Sequence, residues 1–377
     1  MSLRQIVTLL SVWVLSGFAF AQDPSVTSPR DGTSVPADSA LENQRRLILL
    51  PIVYYTPETS LAAGAIAIKN LWKEANGKTS HILTAVSLTS QGQSIFSLTP
   101  RLYLAQGKYE LGGVFSYKYF PDQYYGIGEH QVLSSPEKYT ENSLVLAANF
   151  GVNLYSDLFF RMSYADEKRS LSGLLSGGRV EQDIADYSPV LETHVTSVSL
   201  EWDNRDYPQS PTTGEWYKMG VQFYNPYDVV NAHDLSSFQK YDLDLRKYFS
   251  LNSDWILAGQ IAVSDIQGAP VVPFYYLNTI PLRAYYHGRY RDRTLALIQP
   301  ELRWGFRQRM EMTFFAGAAK LATELGTLND ADQSRLLASV GAGWRYFIDP
   351  ENRTCIRLDL GVATNNLGFY FVIGEAF

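Results

Sequence analysis

The sequence predicts an all-β protein, a 16-stranded antiparallel transmembrane β-barrel, from three observations. Apolar and polar residues alternate with period two in segment after segment from about Leu47 onward, as in strands with one greasy and one wet face. Tyr, Phe and Trp make up 14% of the chain, with 25, 19 and 7 copies, and these residues gather at the two interfaces of membrane barrels. The chain opens on a targeting pattern and closes on an aromatic strand that ends in Phe377.

The targeting pattern covers residues 1–21. Arg4 supplies the positive start, Ile6 to Val14 the apolar run, and Ala19-Phe20-Ala21 a small-x-small cleavage site, so a signal peptide cut after Ala21 is expected. The apolar run is short of the ~20 residues that span a bilayer as a helix. Residues 22–46 are rich in Pro, Ser, Asp and Thr, which predicts a flexible periplasmic arm rather than a folded unit. The barrel itself is assigned to residues 47–377. Cys355 is the lone cysteine, so no internal disulfide can form and hydrogen-bonded strands must hold the wall together.

Four segments carry the alternation most clearly. Ile356, Leu358, Leu360 and Val362 stand opposite Cys355, Arg357, Asp359 and Gly361. Ala296, Ile298, Leu302, Trp304 and Phe306 stand opposite Gln299, Glu301 and Arg303. Tyr241, Leu243, Leu245 and Phe249 oppose Asp242, Asp244, Arg246 and Tyr248, while Val198, Leu200 and Trp202 oppose Ser199, Glu201 and Asp203. A soluble sandwich alternates too. Here, however, the polar face mixes both charge signs with Gly and Ser, as a wet lumen requires.

Strands are expected at 49–55, 61–72, 80–90, 93–105, 108–120, 142–152, 156–167, 194–204, 214–225, 237–249, 253–265, 294–306, 310–319, 335–348, 353–363 and 367–377. An even number puts both termini in the periplasm and lets the first strand meet the last, which removes the open edges that lipid does not tolerate. The long connections 121–141, 168–193, 226–236, 266–293 and 320–334 then fall at one end of the barrel.

One of them interrupts the pattern. Leu282-Arg283-Ala284-Tyr285-Tyr286-His287-Gly288-Arg289-Tyr290-Arg291-Asp292-Arg293 packs four arginines into a chain of net charge −6, and such charge needs acidic partners or water. By the strand count this is the sixth outer loop. Leu282-Arg283-Ala284-Tyr285 resembles the Val/Leu-Arg-Gly-Phe/Tyr loop tip of the BamA/TamA superfamily of outer-membrane insertases and translocases, the bacterial surface antigen family. The resemblance implies a sixth loop folded inward, its arginine held by an acidic group on the inner wall. Ala284 replaces the family glycine, and if φ is positive there it costs about 1 kcal/mol. The family's usual acidic position falls in Phe314-Phe315-Ala316-Gly317-Ala318, which has no Asp. Glu301 and Asp359, both on the lumen face, are the candidate partners. The alternative is a plug or a solvated basic loop.

Further resemblances follow the same order along the chain. Phe369-Tyr370-Phe371-Val372-Ile373-Gly374-Glu375-Ala376-Phe377 resembles the family's closing strand and the C-terminal signal of outer-membrane barrels, with Phe369, Phe371, Ile373, Gly374 and Phe377 as its marks and an aromatic ridge toward lipid. Asp203-Asn204-Arg205-Asp206, with Pro208, Pro211 and Gly214 downstream, resembles the family's Asp-x-Arg-Asp turn. Leu50 to Thr59 resembles the opening hairpin of its short members. Family members carry periplasmic POTRA domains before the barrel, and the 25 or so residues after Ala21 are too few for one, so a short form without them is expected.

No enzyme constellation emerges. His81, His130, His194, His233 and His287 are scattered without metal-ligand spacing, and no glycine-rich phosphate loop is present. No catalytic residue, metal or cofactor is expected, and the acidic balance excludes nucleic acid as a partner. The expected role is insertion or export of protein or lipid at the outer membrane, with a separate periplasmic partner or client protein. The alternatives are a plugged or gated passive pore and a non-transporting scaffold barrel, which a homodimer would suit.

Overall fold

The computed structural model describes residues 47–74, 78–128, 135–330, 334–364 and 366–377. The expected signal peptide and arm lie outside the described residues, as does His130. Among the described residues sixteen long strands form the wall. They are β1 (Leu47–Thr56), β2 (Ser60–Lys73), β3 (Thr79–Thr89), β4 (Ser94–Leu104), β5 (Tyr109–Tyr124), β6 (Glu137–Tyr155), β7 (Leu158–Ser172) and β8 (Val190–Asp203), then β9 (Gly214–Asp228), β10 (Phe238–Ser250), β11 (Trp255–Gln267), β12 (Thr294–Arg307), β13 (Met310–Ala322), β14 (Ser334–Asp349), β15 (Thr354–Ala363) and β16 (Asn366–Ile373). Each pairs antiparallel with its neighbours in chain order, and β1 meets β16 to close the barrel.

The alternation sorts the residues as the sequence implies. On β15, Leu360 and Val362 face outward and are 49% and 48% exposed, while Arg357 and Asp359 are buried inside. Aromatic pairs ring the short-turn end: Trp255 stacks on Trp304 with centroids 5.7 Å apart, and Trp344 on Tyr346 at 6.0 Å. Near the other end Tyr55 meets Phe369 and Phe96 meets Phe115. Stacked or tilted rings of this kind suit an interface that is apolar on one side and wet on the other.

Two expectations need correction. The connections expected at 121–141 and 168–193 are shorter than expected, with strand at both ends of each, because β5 runs to Tyr124, β6 starts at Glu137, β7 runs to Ser172 and β8 starts at Val190. These strands continue past the apolar band, where the outer face turns polar: Lys168 bonds Glu192 at 2.6 Å and His194 pairs with Asp166, all exposed. A strand polar on its outer face no longer alternates, so it reads as loop.

The second correction concerns the closing strand. It ends at Ile373, four residues before the terminus. Gly374, at φ 95°, turns the chain inward, and Phe377 packs on Tyr248 and Ala258 of the inner wall, 8% exposed. Phe369 remains on the lipid face at 46% exposure, but the ridge does not include Phe377. A glycine two-thirds along an aromatic strand looks like a tolerated residue, whereas here its positive φ redirects everything after it.

At the long-connection end the interior is apolar and filled. The short helix α1 (Arg179–Asp183) lies in the connection 173–189, and Val180, Ile184 and Tyr187 from that connection pack with Phe274, Tyr276 and Leu277 from the connection 268–293. Inner-face residues such as Tyr124, Leu191 and Tyr224 complete this core. The outward faces make a clear prediction: Leu360→Arg, a charge in mid-wall facing lipid, should cost about 2–4 kcal/mol in reversible unfolding from lipid vesicles. A neutral result would mean that this face is not in hydrocarbon.

Candidate functional site

Residues 280–290 of the sixth connection pack on the inner wall. Ile280, Leu282, Tyr285 and Tyr290 lie against inner-face Leu295 and Leu297 of β12, Ala319 and Leu321 of β13 and Leu337 of β14. Arg283 stands at the centre. Its Nη1 lies 2.8 Å from Glu301 Oε2 and 3.1 Å from Asp359 Oδ2, and its guanidinium carbon sits 3.4 Å from the centroid of the Phe315 ring. A planar cation on an aromatic face between two carboxylates is a site for arginine rather than lysine.

The two carboxylates belong to a wider buried network. Glu301 also binds Arg303 at 2.8 Å, and Asp359 also binds Arg345 at 2.5 Å. Arg345 continues to Glu375 at 2.8 Å, and Arg353 binds Glu311 at 2.9 Å. Arg357 has only a 3.6 Å contact with Asp359, and its Nε and Nη1 have no hydrogen-bond partner among the described residues. Arg283, Arg303, Arg345, Arg353 and Arg357 therefore face Glu301, Glu311, Asp359 and Glu375, one cation in excess. Taking these charges out of water is costly, so such a network adds little net stability but resists loss of any single member.

The other three arginines of the stretch make no direct ion pair among the described residues. Arg291 donates to the carbonyls of Gly288 at 3.1 Å and Phe274 at 3.3 Å, and Arg293 donates to those of Ala269 at 2.7 Å and Pro270 at 2.5 Å. Arg289 bonds Asn366 and lies over Tyr125. Arg291 and Arg293 thus satisfy backbone carbonyls of a buried connection.

Glycines make room for the loop tip. A Cβ on Gly317 would come 2.4 Å from Leu282 Cδ2, and one on Gly368 would come 2.7 Å from Ala284 Cα. Gly361, the cross-strand partner of Gly368, would bring a Cβ within 3.1 Å of the Ala284 nitrogen. Ala284 has φ 83°, the left-handed region that costs a non-glycine residue about 1 kcal/mol. Its N–H donates to Tyr370 Oη at 3.0 Å, and Tyr285 Oη donates to the Ala338 carbonyl at 2.9 Å.

At the opposite, short-turn end the connection 204–213 folds toward the network. Arg205 binds Asp203 through two 2.7 Å hydrogen bonds, and Asp206 accepts from the backbone of Tyr207 and Thr212. Thus the Asp-x-Arg-Asp residues shape the turn itself. Ser210 Oγ donates to Glu375 at 3.2 Å, Arg353 Nε donates to the Ser210 carbonyl at 2.8 Å, and Arg303 Nη1 reaches the Pro211 carbonyl at 3.2 Å. Glu375 is available only because Gly374 turns the tail inward. The C-terminal residues, the turn and the loop tip therefore share one ion network.

The β1–β16 closure differs from every other strand contact. Among the described residues its ladder has a single pair, Tyr55 with Phe371, whereas β1 makes ten pairs with β2. Pro51 lies in β1, and proline cannot donate to a ladder, which confines it to an edge. Nearby, Glu58 in the β1–β2 turn accepts from the His287 backbone N–H at 2.7 Å, so the opening hairpin touches the sixth connection as well as the seam.

The Omp85 superfamily domain matches residues 76–377. The chain belongs to the Omp85 superfamily. This is a family of outer-membrane β-barrels, and solved relatives share the fold of this Omp85 barrel at low identity. BamA from Haemophilus ducreyi lacking POTRA domains 1–3 superposes with a TM-score of 0.63 at 14% identity, over 87% of this chain and 70% of that one. CdiB from Acinetobacter baumannii gives 0.54 at 11%, over 88% and 60%. CdiB from Escherichia coli gives 0.54 at 9%, over 86% and 62%. The chain thus spans less than two thirds of either CdiB. No curated protein sequence matches it.

Of the residues singled out in the sequence, the structure brings Leu282, Arg283, Ala284 and Tyr285 together with Glu301 and Asp359. It leaves Phe369 and Phe371 on the outer face and turns Gly374 and Phe377 away from it; Ile373 is the last residue of the strand. Arg303, Arg345, Arg357 and Glu375, with Arg353 and Glu311, carry the rest of the network. The first three sit at inner positions of alternating strands, a signal legible in the sequence, but Glu375 depends on the turn at Gly374 and leaves no such signal.

Removing Arg283 tests the arrangement. Arg283→Ala should cost about 3 kcal/mol, the low end for a broken buried pair because Glu301 keeps Arg303 and Asp359 keeps Arg345. Arg283→Lys should recover less than half, as measured by denaturant unfolding.

Acid should loosen the connection through His287. Burial, with Arg291, Lys118 and Lys240 nearby, pushes its imidazole down to about 4, against an ordinary value of about 6.5. A released loop therefore takes up a proton below about pH 6.5 that the docked loop refuses until about pH 4, so docking weakens as pH falls through that interval. Glu58, pushed up by burial, works in the opposite sense. Protease cleavage within 268–293 should rise between about pH 7.5 and pH 5, and His287→Gln should flatten the rise.

Proposed function

We propose that this Omp85 barrel opens at the β1–β16 seam to assist insertion or export of protein or lipid at the outer membrane. The long-connection end faces outward and both termini face the periplasm, where a separate partner captures the client. The single-pair closure carries this reading. In a barrel wall each lost backbone pair leaves groups that hydrocarbon cannot satisfy, so the seam with one pair is the least costly place to part. Pro51 keeps its edge from laddering fully.

The loop tip acts as the lock that holds the seam in register. Ala284 rests against Gly361 of β15 and Gly368 of β16, while Arg283 pins Asp359 of β15 to Glu301 of β12, so the tip ties the last strands to the adjoining wall. The filled interior supports this reading over a passive pore, because the apolar core at one end and the turn 204–213 with the C-terminal tail at the other both occupy the path. No enzymatic chemistry is assigned to the barrel.

The experiment is reconstitution of the purified barrel in vesicles with an unfolded client barrel and candidate periplasmic partners. Client folding should accelerate, and a Tyr55→Cys/Phe371→Cys disulfide across the seam should reduce that acceleration at least about tenfold until a reductant is added. Native Cys355 is buried and does not compete. Failure to accelerate folding with or without partners would sink the insertion reading. Ion conductance that persists with the seam oxidised would favour the pore.

A further inference from the structure

Arg283 Nη1 touches one oxygen on each of its two acids, Asp359 Oδ2 at 3.1 Å and Glu301 Oε2 at 2.8 Å. Each of these oxygens has a second guanidinium close by. Arg357 Nε lies 3.6 Å from Asp359 Oδ2, and Arg345 Nη2 lies 4.0 Å from Glu301 Oε2. Both distances are beyond a hydrogen bond, and neither nitrogen has a hydrogen-bond partner among the described residues although both are buried. Arg283 arrives on the sixth connection, whereas Arg345 and Arg357 belong to β14 and β15 and stay in the wall.

The charges agree with the distances. Without Arg283, four arginines of the network face its four carboxylates, so the wall is balanced when the loop tip is away and carries the extra cation when it is docked. Arg357 is the least neutralised member. Its cross-strand neighbours are Arg345 on β14 and Val372 on β16, so one side offers a like charge, which destabilises a facing pair, and the other offers none. Asp359 is its one acid contact among the described residues.

We propose that the wall arginines exchange with Arg283: when the loop tip leaves, Arg357 moves onto Asp359 Oδ2 and Arg345 Nη2 onto Glu301 Oε2, and when it returns they give way. Removing one member of a buried ion pair is costly chiefly because the other is left charged and unpaired. Here side-chain shifts on the order of 1 Å bring each waiting nitrogen to hydrogen-bond distance, so neither carboxylate is stranded. Arg357 therefore lowers the cost of release and weakens docking, which is the opposite of a brace. The inference rests on the loop tip acting as the lock described above, and adds what fills the lock while it is open.

The test uses the full-length barrel in phospholipid vesicles with no client or partner added, and reads loop release as protease cleavage within 268–293. Arg357→Met removes the charge and keeps most of the side chain's length. Cleavage should slow at least about fivefold, because release now leaves Asp359 with one guanidinium in place of two. Arg357→Lys, which keeps the charge, should stay closer to the native rate than to that of Arg357→Met. A brace would give the reverse sign, so cleavage that is unchanged or faster in Arg357→Met would overturn the proposal. In denaturant unfolding, Arg283→Ala and Arg357→Met combined should shift the unfolding constant at least about tenfold beyond the product of their separate effects, and independent effects would overturn the exchange. If Arg357→Met does not fold, a crystal structure of Arg283→Ala decides. Arg357 Nε should then stand within about 3 Å of Asp359 Oδ2, and persistence at the native separation would overturn the proposal. Because no client is needed, a barrel that passes these tests but does not accelerate client folding would refute the insertion reading alone. Acceleration by a barrel whose loop release ignores Arg357 would refute the exchange alone.

Discussion

In hydrocarbon an unpaired backbone N–H or carbonyl has no solvent to turn to, and the rest of this structure depends on that constraint. It forces the sheet to close, so β1 must meet β16 however poorly the two match. They match at one pair, and the molecule strengthens that weak join from within. The loop tip lies on Gly361 of β15 and Gly368 of β16, Arg283 joins Asp359 to Glu301 three strands along the same wall, and the His287 N–H reaches Glu58 beside β1. A weak seam held by an internal contact can open and recover, whereas a seam with a full ladder could not part without exposing many backbone groups at once.

The ion network does more than fasten one loop. It joins three segments far apart in sequence: the sixth connection through Arg283, the turn 204–213 through Ser210 and Pro211, and the C-terminal tail through Glu375. Desolvation makes such a network a poor source of stability but a strict one in geometry, because Glu301 and Asp359 are each already shared between guanidinium groups. The physical consequence is coupling. A change at either end of the barrel alters the partners available at the other through Arg345, which bonds both Asp359 and Glu375.

Much of the wall was legible because it obeys one rule. Leu358 and Leu360 outward with Arg357 and Asp359 inward follow from period two, and so do the number and order of strands. The rule fails where the environment changes along a strand. Lys168 and Glu192 face outward beyond the apolar band, so their segments look like loop although the ladder continues. It fails again beside the seam, where Leu49 and Val53 outward and Ile48, Leu50 and Ile52 inward leave both faces of β1 apolar, and polarity cannot sort inner from outer.

The sequence by itself determined the fold class, the inward and outward face of most strands, and the loop motif with its acidic partners Glu301 and Asp359, because each is a local pattern or a charge that must be neutralised somewhere on the polar face. Tertiary structure alone decided that Arg291 and Arg293 bind backbone carbonyls, that Gly361 and Gly368 form the bed for Ala284, and that Phe377 lies inside. Those outcomes turn on which backbone carbonyls are left over and on the rotation at Gly374, quantities set by how distant segments meet rather than by any residue's own preference.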